Sequence, residues 1–447
     1  MADISYRTHL LPTAGMTPRM ALHQAYLATR QTTESLAAPL TPEDQTVQAM
    51  PDASPTKWHL AHTSWFFETF LLQPFLPGYT SFNPTYGYLF NSYYDAIGER
   101  HPRSQRGLLS RPTVAEVLYY RAEVDTAMAD LLAAVEEDGN GPVASLLRLG
   151  IHHEQQHQEL ILTDILNLFA RNPLHPAYRP NREVVGSRGA SHRSLTWIGF
   201  PGGVVQIGHP SPAASSQTSA FAYDNESPRH DVLLRPFRLA SRLVTNGEWQ
   251  AFIDAGGYRR ADLWLADGWA AVDSEQWEAP LYWLGTSDGG RRQMTLHGLQ
   301  ELEAEAPVCN VSFYEADAFA RWSGKRLPSE AEWEVAAMSA SPAGNMLRSG
   351  ALQPLPAPEP EPGRPPLMQM FGDVWEWTAS PYLPYPGYTP ASGAVGEYNG
   401  KFMCNQMVLR GGSCLTPDEH IRASYRNFFY PYQRWQMSGV RLAEDVE

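Results

Sequence analysis

Between residues 17 and 172 the apolar side chains recur with a helical period, and from Leu195 onward short strand-like runs replace them. A run of helices followed by a run of strands suggests an α+β protein or separate domains. At 447 residues the chain is also too long for one ordinary core. The expectation is an α+β multidomain protein, with a helical bundle over 1–175, a linker over 176–194 and a second domain over 195–447.

Four helices are expected in the first part. Thr17-Pro18 opens one, continued by MALHQAYLATRQTTESLA, and TKWHLAHTSWFFETFLL forms a second from about Thr56. Pro112-Thr113 starts a third, which stops at the turn-rich Asp138-Gly139-Asn140-Gly141, and Pro142 starts a fourth that runs to about Arg171. Four helices of this length predict an antiparallel bundle. The loop from Pro74 to Arg111 is long for a bundle, and long ordered loops usually carry function. After Leu195 the runs LTWIGF, GGVVQIG, HDVLLRPFRLA, QMVLRGGS and SGVRLA read as strands. NGEWQAFIDAG and SFYEADAFARWSGK read as helices, and the Pro-rich stretch 354–366 as a surface loop.

Composition excludes several classes. A net charge of −14 leaves no basic footprint for non-specific nucleic-acid binding. Three cysteines (Cys309, Cys404, Cys414) do not make a disulfide framework. No signal peptide is read at the N-terminus, and no run approaches the roughly 18 apolar residues of a membrane span. A cytoplasmic protein is expected. The 13 Trp and 21 Tyr beside only 34 Lys plus Arg point to pockets and loops built on aromatic scaffolding.

On the fourth helix His153 and His157 stand at i and i+4, on one stripe with Leu146, Leu149 and Leu160, so both imidazoles should face the bundle core. Two neutral imidazoles at this spacing can reach one metal ion. His152 lies about 100° around the helix and is left out. The second helix offers His59 and His62, the latter on a stripe with Trp58, Trp65 and Thr69. A bare H-x-x-x-H spacing also occurs in ordinary helices, where the pair is merely exposed or hydrogen-bonded. The third imidazole and the core-facing stripe favour a three-histidine site across two helices. Such a set suits zinc, with one open position, or octahedral iron, with three.

With the fourth-helix segment HHEQQHQELILTDI and the upstream WHLAHTSWFFETF, the first part resembles metal-binding bundles of the DinB type. The second part carries FPGGVVQIG, NESPRHDVLLRPF, LVTNGEWQAF, GKRLPSEAEWEVAA, FGDVWEWTASPY, VLRGGS and SGVRLA in order over about 250 residues. This series resembles the formylglycine-generating-enzyme fold, a C-type-lectin-like architecture with little regular secondary structure. The combination resembles the sulfoxide synthases of ergothioneine biosynthesis, the EgtB family, and the branch that carries adjacent tyrosines, here Tyr93-Tyr94. It covers nearly the whole chain.

The resemblance implies a non-haem Fe(II) held by His62, His153 and His157, and it prefers His62 to His59. It implies an O2-dependent reaction that joins a cysteine sulfur to C2 of the hercynine imidazole, giving hercynylcysteine sulfoxide. Thiolate, imidazole and O2 then have the three open positions, which favours iron over zinc. Gln156 matches the glutamine that hydrogen-bonds the substrate's other ring nitrogen. Arg103 and Arg106 match the pair that holds the cysteine carboxylate, a task suited to a guanidinium fork. Asn427 and Phe428 match residues at the trimethylammonium end, where aromatic faces and oxygen dipoles must replace hydrogen-bond acceptors. Trp375, Glu376 and Trp377 are expected to be structural. Making a C–S bond rather than merely oxidising sulfur needs a proton or hydrogen donor, and Tyr93 or Tyr94 is the expected one.

The chain departs from its relatives in two places. Formylglycine-generating enzymes carry two reactive cysteines shortly after the GGS motif, whereas GGSCLTPDEHIRASYR holds only Cys414. Phe429 stands where users of γ-glutamylcysteine carry an aspartate, so free cysteine is the expected donor. The alternatives are γ-glutamylcysteine or a selenosugar as donor, the ovothiol branch, a zinc-dependent DinB-type thiol transferase, and a lectin-like binding module with an inactive bundle. No obligate protein partner is expected.

Overall fold

Thr17 and Thr113 each turn a side-chain oxygen onto the third backbone N–H of a long helix, satisfying donors that would otherwise end unpaired. The helices so started are Pro18–Ala37 and Val114–Ala133. With Thr56–Phe67 and Pro142–Ala170 they form the four-helix part of the structure. In this computed structural model the described residues are 16–136, 138–180, 194–210, 221–287, 289–359 and 367–446. The chain divides into two compact units, Met1–Tyr178 and Arg179–Glu447. Most of the expected linker, 181–193, lies outside the described residues, as does much of the Pro-rich stretch.

The second bundle helix is the core of the first unit. All twelve of its residues are buried, including Lys57, His59, His62, Thr63 and Ser64. A helix buried on every side must have its polar groups satisfied by neighbours. Lys57 Nζ donates to the Leu109 and Pro112 carbonyls at 2.5 and 3.2 Å, and Ser64 Oγ accepts from Arg30 Nη2 at 2.8 Å. The first helix packs along the fourth, and the second packs on the third and fourth.

One ion cluster ties the bundle together. Glu154, fully buried on the fourth helix, accepts from Arg30 Nη1 at 2.9 Å and Arg121 Nη2 at 3.0 Å. These guanidiniums come from the first and third helices, so a single carboxylate joins three of the four.

The sequence pattern predicts a second helix unbroken to Leu72. The structure instead widens to a π turn over Glu68–Leu72. There the buried Glu68 carboxylate accepts from Tyr120 Oη at 2.5 Å, Tyr79 Oη at 2.9 Å and Phe82 N at 2.7 Å, so long-range partners outcompete the regular helix. The long loop holds a short helix, Thr85–Phe90, and 3-10 turns at Asp95–Ile97 and Arg103–Leu108.

The second unit is built of short sheets and loops. The four-stranded sheet runs Asn427–Phe429, Met407–Arg410, Trp375–Pro381 and Ser438–Gly439. HDVLLRPFRLA, expected as one run, is two strands. His230–Leu234 pairs with Gly203–Ile207, and Phe237–Ala240 pairs with Trp197–Phe200. Pro236 lies between them without an N–H to continue a ladder. Facing it, in the turn between Trp197–Phe200 and Gly203–Ile207, Gly202 has φ +71°, and a Cβ there would come within 2.6 Å of the Arg235 backbone. Glu376 is fully buried and accepts from Trp333 Nε1 and Arg441 Nε at 2.9 and 2.7 Å, while Trp377 Nε1 donates to the Val311 carbonyl at 2.9 Å. These partners are all within the core of the unit. No described helix is long and apolar enough to cross a membrane.

Candidate metal centre

The stripe of the second bundle helix becomes a stack of rings. His62 lies between Trp58 (4.6 Å, 13°) and Trp65 (5.4 Å, 15°), one turn before and after it. Indole faces on both sides leave the imidazole little freedom. His62 Nδ1 lies 2.5 Å from the Phe90 carbonyl oxygen, which can only accept, so Nδ1 carries the proton and Nε2 keeps its lone pair.

His153 and His157 come from one face of the fourth helix to meet it. Ring centroids are 4.9 Å apart for His62 and His153, 4.6 Å for His62 and His157, and 4.7 Å for His153 and His157. One nitrogen from each ring lies within 4.8 Å of the other two, and all three residues are buried. His62 Nε2 and His153 Nε2 are 3.2 Å apart. Two nitrogens bound at about 2.1 Å to one cation, in neighbouring positions, would be separated by about 3.0 to 3.4 Å. The His62–His153 spacing therefore suits two ligands of one divalent transition metal, with His157 close enough to be the third.

Electrostatics agree with that fit. Burial depresses the basicity of all three imidazoles, His153 to about 4, and the neighbouring imidazoles add to the effect for His62 and His157. The neutral ring is the form that binds a metal. No thiolate or carboxylate is part of the three-residue group.

The loop residues surround this group unevenly. Tyr94 is 3% exposed and packs on Trp65 (5.8 Å) and Phe66 (6.5 Å). Those two rings in turn stack on His62 and His153. Tyr93 is half-buried, and its Oη accepts from Arg103 Nη1 at 2.8 Å. Arg106 lies with its guanidinium carbon 3.4 Å from the Trp58 ring centre, and donates to the Ser54 and Ser92 hydroxyls at 2.9 and 3.2 Å. Burial lowers its pKa to about 9, and its Nε has no acceptor among the described residues. Arg103 also donates to the Asp52 carbonyl. Gln156 is half-buried on the fourth helix.

Asn427 and Phe428 belong to the second unit. They begin the strand Asn427–Phe429, where Phe428 stacks on Tyr382 (4.1 Å, 11°) and Phe402 (5.9 Å, 24°). Asn427 Oδ1 accepts from Phe428 N at 2.9 Å.

The family resemblance prefers His62 to His59 as ligand, and the structure gives His59 a specific partner. His59 Nδ1 lies 2.8 Å from His157 Nδ1, and His59 Nε2 lies 3.1 Å from Asp164 Oδ2. The available signal was spacing. Asp164 is seven residues after His157 on the same helical stripe, and His59 is one turn before His62.

Two family models match the chain. The DinB superfamily matches residues 25–161, and the sulfatase-modifying factor enzyme 1-like domain matches 186–354 and 355–446. A hercynine oxygenase of Mycobacterium tuberculosis is 34% identical over 418 residues, covering 89% of this chain and 92% of that protein. A hercynine oxygenase of Mycolicibacterium smegmatis is 34% identical over 429 residues, covering 89% and 93%. A formylglycine-generating enzyme of Streptomyces coelicolor is 29% identical over 303 residues, covering 56% of this chain and 89% of that one. Both halves thus match in order, and with relatives of this identity aligned almost end to end, the chain belongs to the hercynine oxygenase family.

Proposed function

We propose that the protein is a non-haem Fe(II)- and O2-dependent sulfoxide synthase, joining the sulfur of cysteine to C2 of the hercynine imidazole to give hercynylcysteine sulfoxide in ergothioneine biosynthesis. The observation that carries this reading is the buried, all-imidazole group His62, His153 and His157 in a chain that aligns with 92% of a hercynine oxygenase. The reaction balances as thiol plus imidazole C–H plus O2 giving sulfoxide plus water. S–H and C–H bonds break, C–S and S–O bonds form, and the four electrons released reduce O2. His62, His153 and His157 would hold the iron, which when bound would supply the reactivity toward O2.

The chain's own residues have separate tasks. Arg106 is a buried cation whose described acceptors are serine hydroxyls, so an incoming carboxylate would supply the charge it lacks. With Arg103 it orients the cysteine. Gln156 takes the remaining ring nitrogen of hercynine. The Tyr94 phenol, beside the rings that flank His62 and His153, donates a proton or hydrogen atom, with Tyr93 as its neighbour. Phe429 packs edge-on to Trp435 and offers no carboxylate for a γ-glutamyl amine, which supports free cysteine as donor. With small soluble substrates, the enzyme is assigned to the cytoplasm.

The test is anaerobic reconstitution with Fe(II) or Zn(II), followed by O2-uptake measurements. Uptake is expected only with Fe(II), hercynine and cysteine together. Turnover of thiol by the Zn(II) form without O2 would support a DinB-type thiol transferase instead.

A further inference from the structure

Behind the histidine group the fourth bundle helix carries a second polar chain that the proposed reaction does not use. Its end is Asp164, 7% exposed, whose Oδ2 accepts from the Ser54 N–H at 2.8 Å and lies 3.1 Å from His59 Nε2. A carboxylate can only accept, so His59 Nε2 bears a proton. A neutral imidazole has one N–H, which leaves a lone pair on His59 Nδ1. That atom lies 2.8 Å from His157 Nδ1, so the His157 nitrogen must be the donor. His157 is then protonated at Nδ1, and its lone pair is on Nε2.

We propose that Asp164 and His59 are positioning residues that set the tautomer of His157 and so present its Nε2 lone pair to the metal. His62 receives the same instruction directly from a backbone carbonyl, that of Phe90. His157 receives it through a side-chain relay ending in a carboxylate, with His59 itself only 2% exposed, so little water competes for the two hydrogen bonds. Beyond that carboxylate, Ser54 donates its backbone N–H to Asp164 and accepts at Oγ from Arg106 Nη1 at 2.9 Å. The guanidinium assigned to the substrate carboxylate and a metal-facing histidine thus share one hydrogen-bonded chain. This inference rests on His157 being a metal ligand, as proposed above.

The test is Co(II) titration of the metal-free full-length chain, followed by visible absorption. His59→Phe is expected to weaken Co(II) binding about 10- to 100-fold. His59→Asn keeps an acceptor oxygen near the position of Nδ1 and is expected to stay within about threefold of the parent. His59→Phe with unchanged affinity overturns the positioning role. A His157→Ala variant with unchanged affinity would instead overturn the ligand assignment, so the two failures are distinct. The unsubstituted protein gives an arm independent of folding defects. Long-range 1H–15N spectra of the 15N-histidine-labelled chain should show His157 protonated at Nδ1 and His59 at Nε2, and the opposite His157 tautomer overturns the proposal.

Discussion

Replacing Glu154 by Gln leaves the shape of the bundle core intact and removes the charge between two buried guanidiniums. Glu154 and Arg121 are fully buried and Arg30 is 2% exposed. Burial alone pushes the Glu154 carboxyl up, yet Arg30 and Arg121 outweigh it and bring the pKa to about 2 from an ordinary 4.5. Holding the carboxyl at about 2 in the folded chain corresponds to roughly 3 kcal/mol of stability at neutral pH. Breaking a buried ion pair typically costs about 3 to 5 kcal/mol. The lower end applies, because Arg30 keeps Asp125 at 2.7 Å and Arg121 keeps Glu34 at 3.3 Å. Urea denaturation of the metal-free chain, followed by helical circular dichroism, should show the bundle transition moved down by about 1 M or more. The sign of the pH dependence is fixed by the direction of the shift. A depressed carboxyl contributes fully above its unfolded pKa, so the parent–variant difference should hold from pH 7 to about 4.5 and fade toward pH 2. A shift under about 0.3 M at pH 7, the size of a surface ion pair, would refute the reasoning.

Other perturbations address the site and its frame. Tyr94→Phe should divert product from the C–S adduct toward cysteine sulfinate, and an unchanged product ratio in both Tyr93→Phe and Tyr94→Phe would remove the donor role. Arg106→Met should raise the KM for cysteine by about 30-fold or more, with the KM for hercynine little changed, because about 2 kcal/mol or more is at stake when a buried charge pair loses one member. Equal rises in both KM values would point to a general distortion. Gly150→Ala places a Cβ 2.4 Å from the Phe67 ring, where the second and fourth helices meet. Overpacking should exceed the gain in helix propensity and destabilise the bundle by about 1 kcal/mol net, measurable by denaturation.

The parts legible in sequence were those set by local chemistry and period. Pro18, Thr113 and Pro142 mark helix starts because a missing N–H or a capping oxygen is useful only there, and helices begin at or beside each of them. His153 and His157 were readable as a pair because a helix puts i and i+4 on one face. What escaped reading depends on partners far apart in the chain. The role of His59 needs Asp164, 105 residues away, and a choice of tautomer that no spacing encodes. The π turn at Glu68 needs Tyr120 and Tyr79 to draw the carboxylate aside. In the second unit HDVLLRPFRLA reads as one apolar alternation, and only the two different partner strands separate it.

The most direct measurement of the central claim is mass spectrometry of the product from Fe(II)-loaded protein given hercynine, cysteine and O2. The account predicts an adduct containing both carbon skeletons and one oxygen on sulfur, absent from the His62→Ala, His153→Ala and His157→Ala variants. Cysteine sulfinate as the sole product of the unsubstituted enzyme, or the same adduct from any of the three variants at the parent's rate, would contradict it.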